Sequence, residues 1–128
     1  MNDRKVKLLV VDDSLIIRKV ILNVLSEYNI DVVGTATNGE RALELFEQYQ
    51  PDVVTLDITM PGMDGLRVLG KMRKINRSSK IIVVTALKDK STGLKAIKIG
   101  ARSYLTKPFS PQKLRETFEK AVHDIPEK

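Results

Sequence analysis

The chain has 128 residues, of which 42% are hydrophobic and 30% charged, and this balance is typical of one soluble globular domain. It contains no cysteine and one histidine, which excludes disulfides and cysteine-ligated zinc and leaves little room for histidine chemistry. The net charge is +6, but residues 1–64 hold six basic and eleven acidic residues, whereas residues 65–128 hold sixteen and five.

Short β-branched runs alternate along the chain with segments of helical periodicity. The first run has only four consecutive apolar residues, too few for a signal peptide or a membrane span, so we expect a cytoplasmic protein without membrane insertion. The first, third and fourth runs are almost continuously apolar, as in central parallel strands, and the other two are predicted to lie nearer the edges. The predicted strands are residues 6–11, 30–36, 53–57, 80–85 and 103–105.

Five amphipathic helices are predicted between and after these strands. Asn38 is predicted to cap the second helix, and Pro111 suits the first turn of the fifth. The fourth, near residues 89–99, has the weakest pattern. The predicted inward faces are Ile17, Val20, Ile21, Val24 and Tyr28; Ala42, Leu45, Phe46 and Tyr49; Leu69 and Met72; Leu94 and Ile97; and Leu114, Phe118, Ala121, Val122 and Ile125.

This alternation predicts an α/β fold, a doubly wound parallel sheet of five strands with five helices on its two faces. No repeat or linker divides the sequence, so residues 1–128 are predicted to form a single domain. Ligands of such sheets bind beyond the carboxyl ends of the strands. The candidate site is therefore expected where the strands end.

Three acidic residues fall at these strand ends. Asp12 and Asp13 follow the first strand, and Asp57 closes the third. Three neighbouring carboxylates repel one another unless a cation lies between them, and Mg²⁺ prefers such oxygen ligands. A cap on the following helix would explain one acidic residue there, but two in succession opposite a third favour a magnesium site.

Thr85 ends the fourth strand and Lys107 follows the fifth, which adds a hydroxyl and an ammonium group to the same edge. A nucleophile, a divalent ion, a fixed positive charge and hydrogen-bond donors are what phosphoryl transfer needs. Asp57 is the best nucleophile candidate because it ends a central strand, and aspartate can form an aspartyl phosphate.

Four segments together resemble the receiver domains of two-component response regulators, most closely the single-domain chemotaxis regulators of the CheY type. They are residues 9–14 (LVVDDS), 54–65 (VTLDITMPGMDG), 83–86 (VVTA) and 104–109 (YLTKPF). The resemblance spans nearly the whole chain and implies the flavodoxin-like strand order 2-1-3-4-5. It also implies a phosphorylation-dependent switch in two-component signalling, and not an enzyme that turns over an external substrate.

The resemblance assigns roles around the acceptor. Asp57 would accept a phosphoryl group from a sensor histidine kinase. Asp13 and Asp57 would bind Mg²⁺ directly, Asp12 through water, and Thr59 through its backbone carbonyl. Lys107 would pair with a phosphoryl oxygen.

Further positions complete the site that the resemblance implies. Backbone N–H groups near Thr59 and Ala86 would cradle the phosphoryl group, and the hydroxyl of Thr85 would turn towards it. The Lys107-Pro108 bond would be cis, a geometry that is uncommon even before proline. Tyr104 would be an aromatic switch that follows Thr85, although a strand tyrosine is also an ordinary core residue.

We hypothesise that the protein is a monomer and that a downstream target docks on the surface of the fourth helix, fifth strand and fifth helix. The basic residues predicted on this face are Lys90, Lys95, Lys98, Arg102, Lys113 and Lys120. They suit an acidic partner or are simply a solvated lysine-rich face. The basic half also suggests a nucleic-acid-binding module, an alternative that the lack of a recognisable nucleic-acid motif disfavours.

Three further alternatives are left open. A flavin-binding module of the same architecture would need a glycine-rich or hydroxyl-rich phosphate loop where Asp12 and Asp13 stand. A haloacid-dehalogenase-type phosphatase would need a second acidic residue where Thr59 stands. The chain could also be a receiver cut from a longer regulator with a DNA-binding or methylesterase domain.

Overall fold

The structure, a computed structural model, describes residues 5–86 and 90–125, apart from the side chain of Lys90. Strands and helices alternate along it in the predicted order. The strands are β1 (Val6–Val11), β2 (Ile30–Ala36), β3 (Val53–Asp57), β4 (Lys80–Thr85) and β5 (Ser103–Thr106). The helices are α1 (Leu15–Leu25), α2 (Gly39–Tyr49), α3 (Gly65–Ile75), α4 (Lys90–Ile99) and α5 (Pro111–His123).

All five strands are parallel and lie in the order β2-β1-β3-β4-β5, which confirms the predicted fold class and strand order. The alternating second strand and the short fifth strand are the two edges. Val11 of β1 is in register with Leu56 of β3. The residues that follow them, Asp12 and Asp57, therefore reach the carboxyl edge of the sheet side by side.

The sheet is covered on both faces, and its strand residues alternate between two apolar clusters. One cluster contains Leu9 and Val11 with residues of α2, α3 and α4. The other contains Leu8 and Val10 with residues of α1 and α5. This two-sided burial explains why the central strands are apolar at nearly every position.

Side-chain caps determine where four of the helices begin. Ser14, Asn38, Asp64 and Ser110 each accept a hydrogen bond from the backbone N–H three residues later, before α1, α2, α3 and α5 respectively. The predicted cap at Asn38 is among them. Among residues 5–86 and 90–125, no helix has the length and apolar character needed to cross a bilayer.

The predicted inward face of α4 is wrong. Leu94 is 57% exposed and Ile97 is 40% exposed, while Gly93 and Ala96 are buried. The helix thus contacts the sheet through its smallest residues, and periodicity alone assigned its larger apolar residues to the core.

Four residues of the other predicted faces also differ. Val20 and Tyr49 are 38% and 40% exposed. Tyr28 and Ile125 lie beyond the ends of α1 and α5, although both still pack against the core. These residues lie at the margin of their helical faces or outside the helix, where the periodicity no longer decides burial.

Candidate functional site

The three acidic residues at the strand ends do meet. Asp12, Asp13 and Asp57 each offer a carboxylate oxygen, and these oxygens lie within 4.8 Å of one another. Asp12 and Asp57 are only 1% and 2% exposed, whereas Asp13 is exposed. Buried carboxylates so close together require compensating positive charge.

Lys107 supplies part of that charge. Its Nζ lies 2.9 Å from Oδ2 of Asp12 and 3.0 Å from Oδ2 of Asp57. Burial alone would lower the pKa of the Lys107 ammonium, but the carboxylates of Asp12 and Asp57 accept its hydrogen bonds and attract its charge, which outweighs burial and raises that pKa above its usual value. The lysine therefore remains charged at neutral pH.

The backbone around Lys107 directs it inward. Its N–H donates to the carbonyl oxygen of Thr85 at 2.7 Å, which ties the residue after β5 to the end of β4. The Lys107-Pro108 peptide bond is cis, the geometry that the resemblance implies. Thr85 itself is 1% exposed at the last position of β4.

Thr59 contacts the second oxygen of Asp57. Both its backbone N–H and its hydroxyl donate to Oδ1 of Asp57, at 2.8 and 2.7 Å. The hydroxyl also accepts a hydrogen bond from the backbone N–H of Ala86 at 3.4 Å. The two backbone N–H groups assigned to the cradle thus already converge near Asp57, with the Thr59 hydroxyl between the carboxylate and Ala86.

Asp12 is fixed in place by its backbone as well as by its carboxylate. Its N–H donates to the carbonyl of Ala36 at 3.0 Å, and its Oδ1 accepts the N–H of Ser14 at 2.9 Å. Its carbonyl oxygen accepts a hydrogen bond from Nη1 of Arg18 at 2.7 Å.

Sequence reasoning missed Arg18. The signal that could have identified it is a basic residue one turn into α1, where the helix dipole disfavours positive charge unless acidic groups lie nearby. The acidic pair that precedes the helix supplies those groups.

Tyr104 lies on β5 against helix α4. Its half-buried ring contacts Gly93 of α4 and packs beside the cluster on that face of the sheet.

Among the residues predicted on the output face, Arg102 pairs with Asp124, and the side chain of Lys90 lies outside the described residues. The exposed members are Lys95, Lys98, Arg102, Lys113 and Lys120.

The acidic group fits Mg²⁺ on chemical grounds. It offers carboxylate oxygens from three residues and no nitrogen or sulfur, and one of its members, Asp13, faces solvent. Mg²⁺ typically takes one or two protein carboxylates, retains several waters and accepts phosphate oxygens. A partly open, all-oxygen site of this kind matches that preference.

Comparison with known proteins assigns the family. Residues 8–119 match the response regulator receiver domain. The chemotaxis protein CheY of Listeria monocytogenes is 40% identical over 91% of the chain and 98% of that protein. A protein-glutamate methylesterase/protein-glutamine glutaminase of Halalkalibacterium halodurans is also 40% identical, but the match spans only 38% of its length.

A solved structure agrees with these matches. The crystal structure of the CheX-CheY-BeF3-Mg²⁺ complex from Borrelia burgdorferi matches with a TM-score of 0.86 and 27% identity, over 91% of this chain and 89% of that one. The chain belongs to the response regulator receiver domain family. It is a phosphorylation-dependent switch of two-component signalling, as its sequence predicts.

Proposed function

We propose that Asp57 receives the phosphoryl group and that Asp12 and Asp13 hold Mg²⁺ beside it, within one receiver domain over residues 1–128. The main support is the convergence on Asp57 of a lysine ammonium and two donors of Thr59, all within 3.0 Å. Asp13 and Asp57 would contact the ion directly, Asp12 through water, and Thr59 through its carbonyl oxygen.

The phosphoryl donor in this proposal is a phosphohistidine of a sensor histidine kinase. A carboxylate oxygen of Asp57 attacks phosphorus, the P–N bond to the imidazole breaks, and the leaving imidazole takes up a proton. Lys107, the N–H groups of Thr59 and Ala86, and the hydroxyl of Thr85 stabilise the charge on the transferred group. When bound, Mg²⁺ would neutralise negative charge on the phosphoryl oxygens.

We propose that the protein is a switch that catalyses only its own phosphorylation and dephosphorylation. A phosphatase with an aspartyl nucleophile would use a second carboxylic acid as proton donor two residues later. That position is Thr59, whose hydroxyl donates to Asp57 at 2.7 Å and lacks the acidity of a carboxylic acid.

The acceptor can be tested with a small phosphodonor. Incubation with acetyl phosphate and Mg²⁺ should add one phosphoryl group, measured by intact-protein mass spectrometry, to the wild type and to the control Asp31→Asn, which alters an exposed acid on β2. Asp57→Asn should remain unmodified. Phosphorylation of Asp57→Asn at the wild-type rate would assign the acceptor elsewhere.

The output surface is proposed to be α4, β5 and α5, which a monomeric, cytoplasmic protein would use to bind an acidic target in chemotaxis. The support is its exposed positive charge from Lys95, Lys98, Lys113 and Lys120, together with the relatives that are named as chemotaxis proteins. In this proposal Thr85 and Tyr104 transmit the effect of phosphorylation to this surface. The charge added at Asp57 shifts an equilibrium between two conformations of the protein.

Beryllofluoride with Mg²⁺ is the probe for this output. Amide NMR spectra should change at α4, β5 and α5 in the wild type, and Asp57→Asn should show no response. Changes confined to the loops next to Asp57 would contradict the proposed output surface while leaving the acceptor intact.

A further inference from the structure

We infer that Arg18 is a positioning residue that holds the Asp12–Asp13 peptide in the orientation that Mg²⁺ binding requires. The inference rests on the proposed function, because it concerns the proposed metal ligands. Nη1 of Arg18 donates to the backbone carbonyl oxygen of Asp12 at 2.7 Å, and the side chain is half-buried.

The position of Arg18 on α1 explains how it reaches this carbonyl. Its backbone N–H bonds to the carbonyl oxygen of the cap Ser14 at 3.0 Å, so its own backbone is fixed in the first turn of the helix. Helical side chains lean towards the helix N-terminus, which here leads back to the end of β1. The guanidinium thus joins the start of α1 to the last residues before it.

The bonded carbonyl belongs to the peptide unit that links Asp12 to Asp13. A planar peptide whose oxygen is held can no longer rotate, and this fixes the direction in which the chain continues into Asp13. Asp12 is also held through its N–H and its carboxylate, whereas Asp13 is exposed. The bond from Arg18 therefore acts on the peptide that leads directly into the exposed ligand.

Two roles for Arg18 predict opposite changes in Mg²⁺ affinity. If the hydrogen bond from Arg18 holds the loop in its binding conformation, its loss means that Mg²⁺ binding must also order the loop. Part of the binding free energy is then used for this ordering, and the affinity for Mg²⁺ falls. If only the positive charge of Arg18 matters, its loss removes repulsion of the cation and strengthens binding. The sign of the change therefore distinguishes positioning from a purely electrostatic effect.

The experiment compares Mg²⁺ dissociation constants, from isothermal titration calorimetry, for the wild type, Arg18→Met, Arg18→Lys and the control Lys19→Met. Lys19 is the next residue of α1 and is exposed, so its substitution removes the same charge without touching the loop. Arg18→Met should bind about tenfold more weakly, which corresponds to about 1.4 kcal/mol. Arg18→Lys should recover part of the loss, and Lys19→Met should stay within about twofold of the wild type.

Urea unfolding without Mg²⁺ checks that each variant folds. If Arg18→Met does not fold, Arg18→Lys alone decides, with binding expected to be weaker than in the wild type. Unchanged or tighter Mg²⁺ binding by a folded Arg18 variant overturns the inference and leaves the proposed function standing. A wild type that binds no Mg²⁺ overturns both, so the two failures can be told apart.

Discussion

The ring of Tyr104 on β5 occupies the space in which a side chain at Gly93 on α4 would have to lie. A β-carbon built at Gly93 would be 2.8 Å from Cζ and 2.9 Å from both Cε atoms of the ring. Carbon atoms in folded proteins pack at about 3.5–4.0 Å, so these distances are too short for any real contact. Glycine at this position is therefore what allows α4 to lie directly against the tyrosine.

Gly93→Ala should destabilise the wild type and stabilise a variant without the ring. With Tyr104 present, overpacking is expected to cost about 1–3 kcal/mol. In a Tyr104→Ala background the clash is gone, and the higher helix propensity of alanine should add up to about 1 kcal/mol. Urea unfolding of the wild type, both single variants and the double variant measures this coupling. Equal losses in both backgrounds would show that the ring is not the cause.

The same contact explains why sequence periodicity failed on α4. The pattern of Leu94 and Ile97 is that of an inward face, and hydrophobic spacing is the main signal available from sequence. Hydrophobic spacing within α4 carries no information about the ring of Tyr104, which comes from β5 and fills the space beneath the helix. Gly93 and Ala96 then make the contact, and the larger residues face solvent.

As with the helices, part of the candidate site can be predicted from the sequence and part cannot. Asp12, Asp13 and Asp57 follow from the rule that parallel strands end at one edge, and their proximity in the structure agrees with it. Arg18 was not predicted, because its partner is a backbone carbonyl: its positive charge near the acidic pair can be read from the sequence, but its hydrogen bond cannot. The Thr59 hydroxyl beside Ala86 is likewise a local geometry that only coordinates reveal.

Lys107→Met should destabilise the metal-free protein, because it leaves the buried carboxylates of Asp12 and Asp57 without their cation while keeping most of the side-chain volume. Removing one partner of a fully buried ion pair costs about 3–5 kcal/mol, and we expect the lower end of this range because the Lys107 side chain is 18% exposed. Urea unfolding in EDTA and in saturating Mg²⁺ should show that Mg²⁺ stabilises the variant more than the wild type. Lys113→Met, at an exposed position on α5, is the control. Equal stability of Lys107→Met and wild type in EDTA would refute this account.

Thr55→Val should leave the fold intact and increase its stability. The hydroxyl of Thr55 on β3 is buried and has no hydrogen-bond partner within the described residues, and valine has nearly the same shape. Removing a buried, unsatisfied hydroxyl should gain about 1 kcal/mol. Thr117→Val is the matched control, because the Thr117 hydroxyl donates to the carbonyl oxygen of Lys113 at 2.8 Å and its loss should give no gain. A loss of stability in Thr55→Val would mean that the hydroxyl is satisfied.

The hydrogen bond between Tyr28 and Glu119 should make the free energy of unfolding decrease at alkaline pH. The hydroxyl of Tyr28 lies 2.5 Å from Oε2 of Glu119, and burial, this bond and the nearby negative charge raise the pKa of Tyr28 well above its ordinary value. Because the folded state favours the protonated phenol, this hydrogen bond contributes fully to the free energy of unfolding below about pH 10. That contribution is lost as the pH rises through the raised pKa.

Tyr28→Phe isolates this effect, since it keeps an aromatic ring beside Phe118, whose centroid lies 5.0 Å from that of Tyr28. Urea unfolding of both proteins between about pH 8 and about pH 11 should show the wild type more stable at the lower end, by no more than about 1 kcal/mol because the pair is partly exposed. The two curves should converge as the pH rises, because only the wild type loses a bond. A constant difference across this range would mean that ionisation of Tyr28 is not coupled to folding.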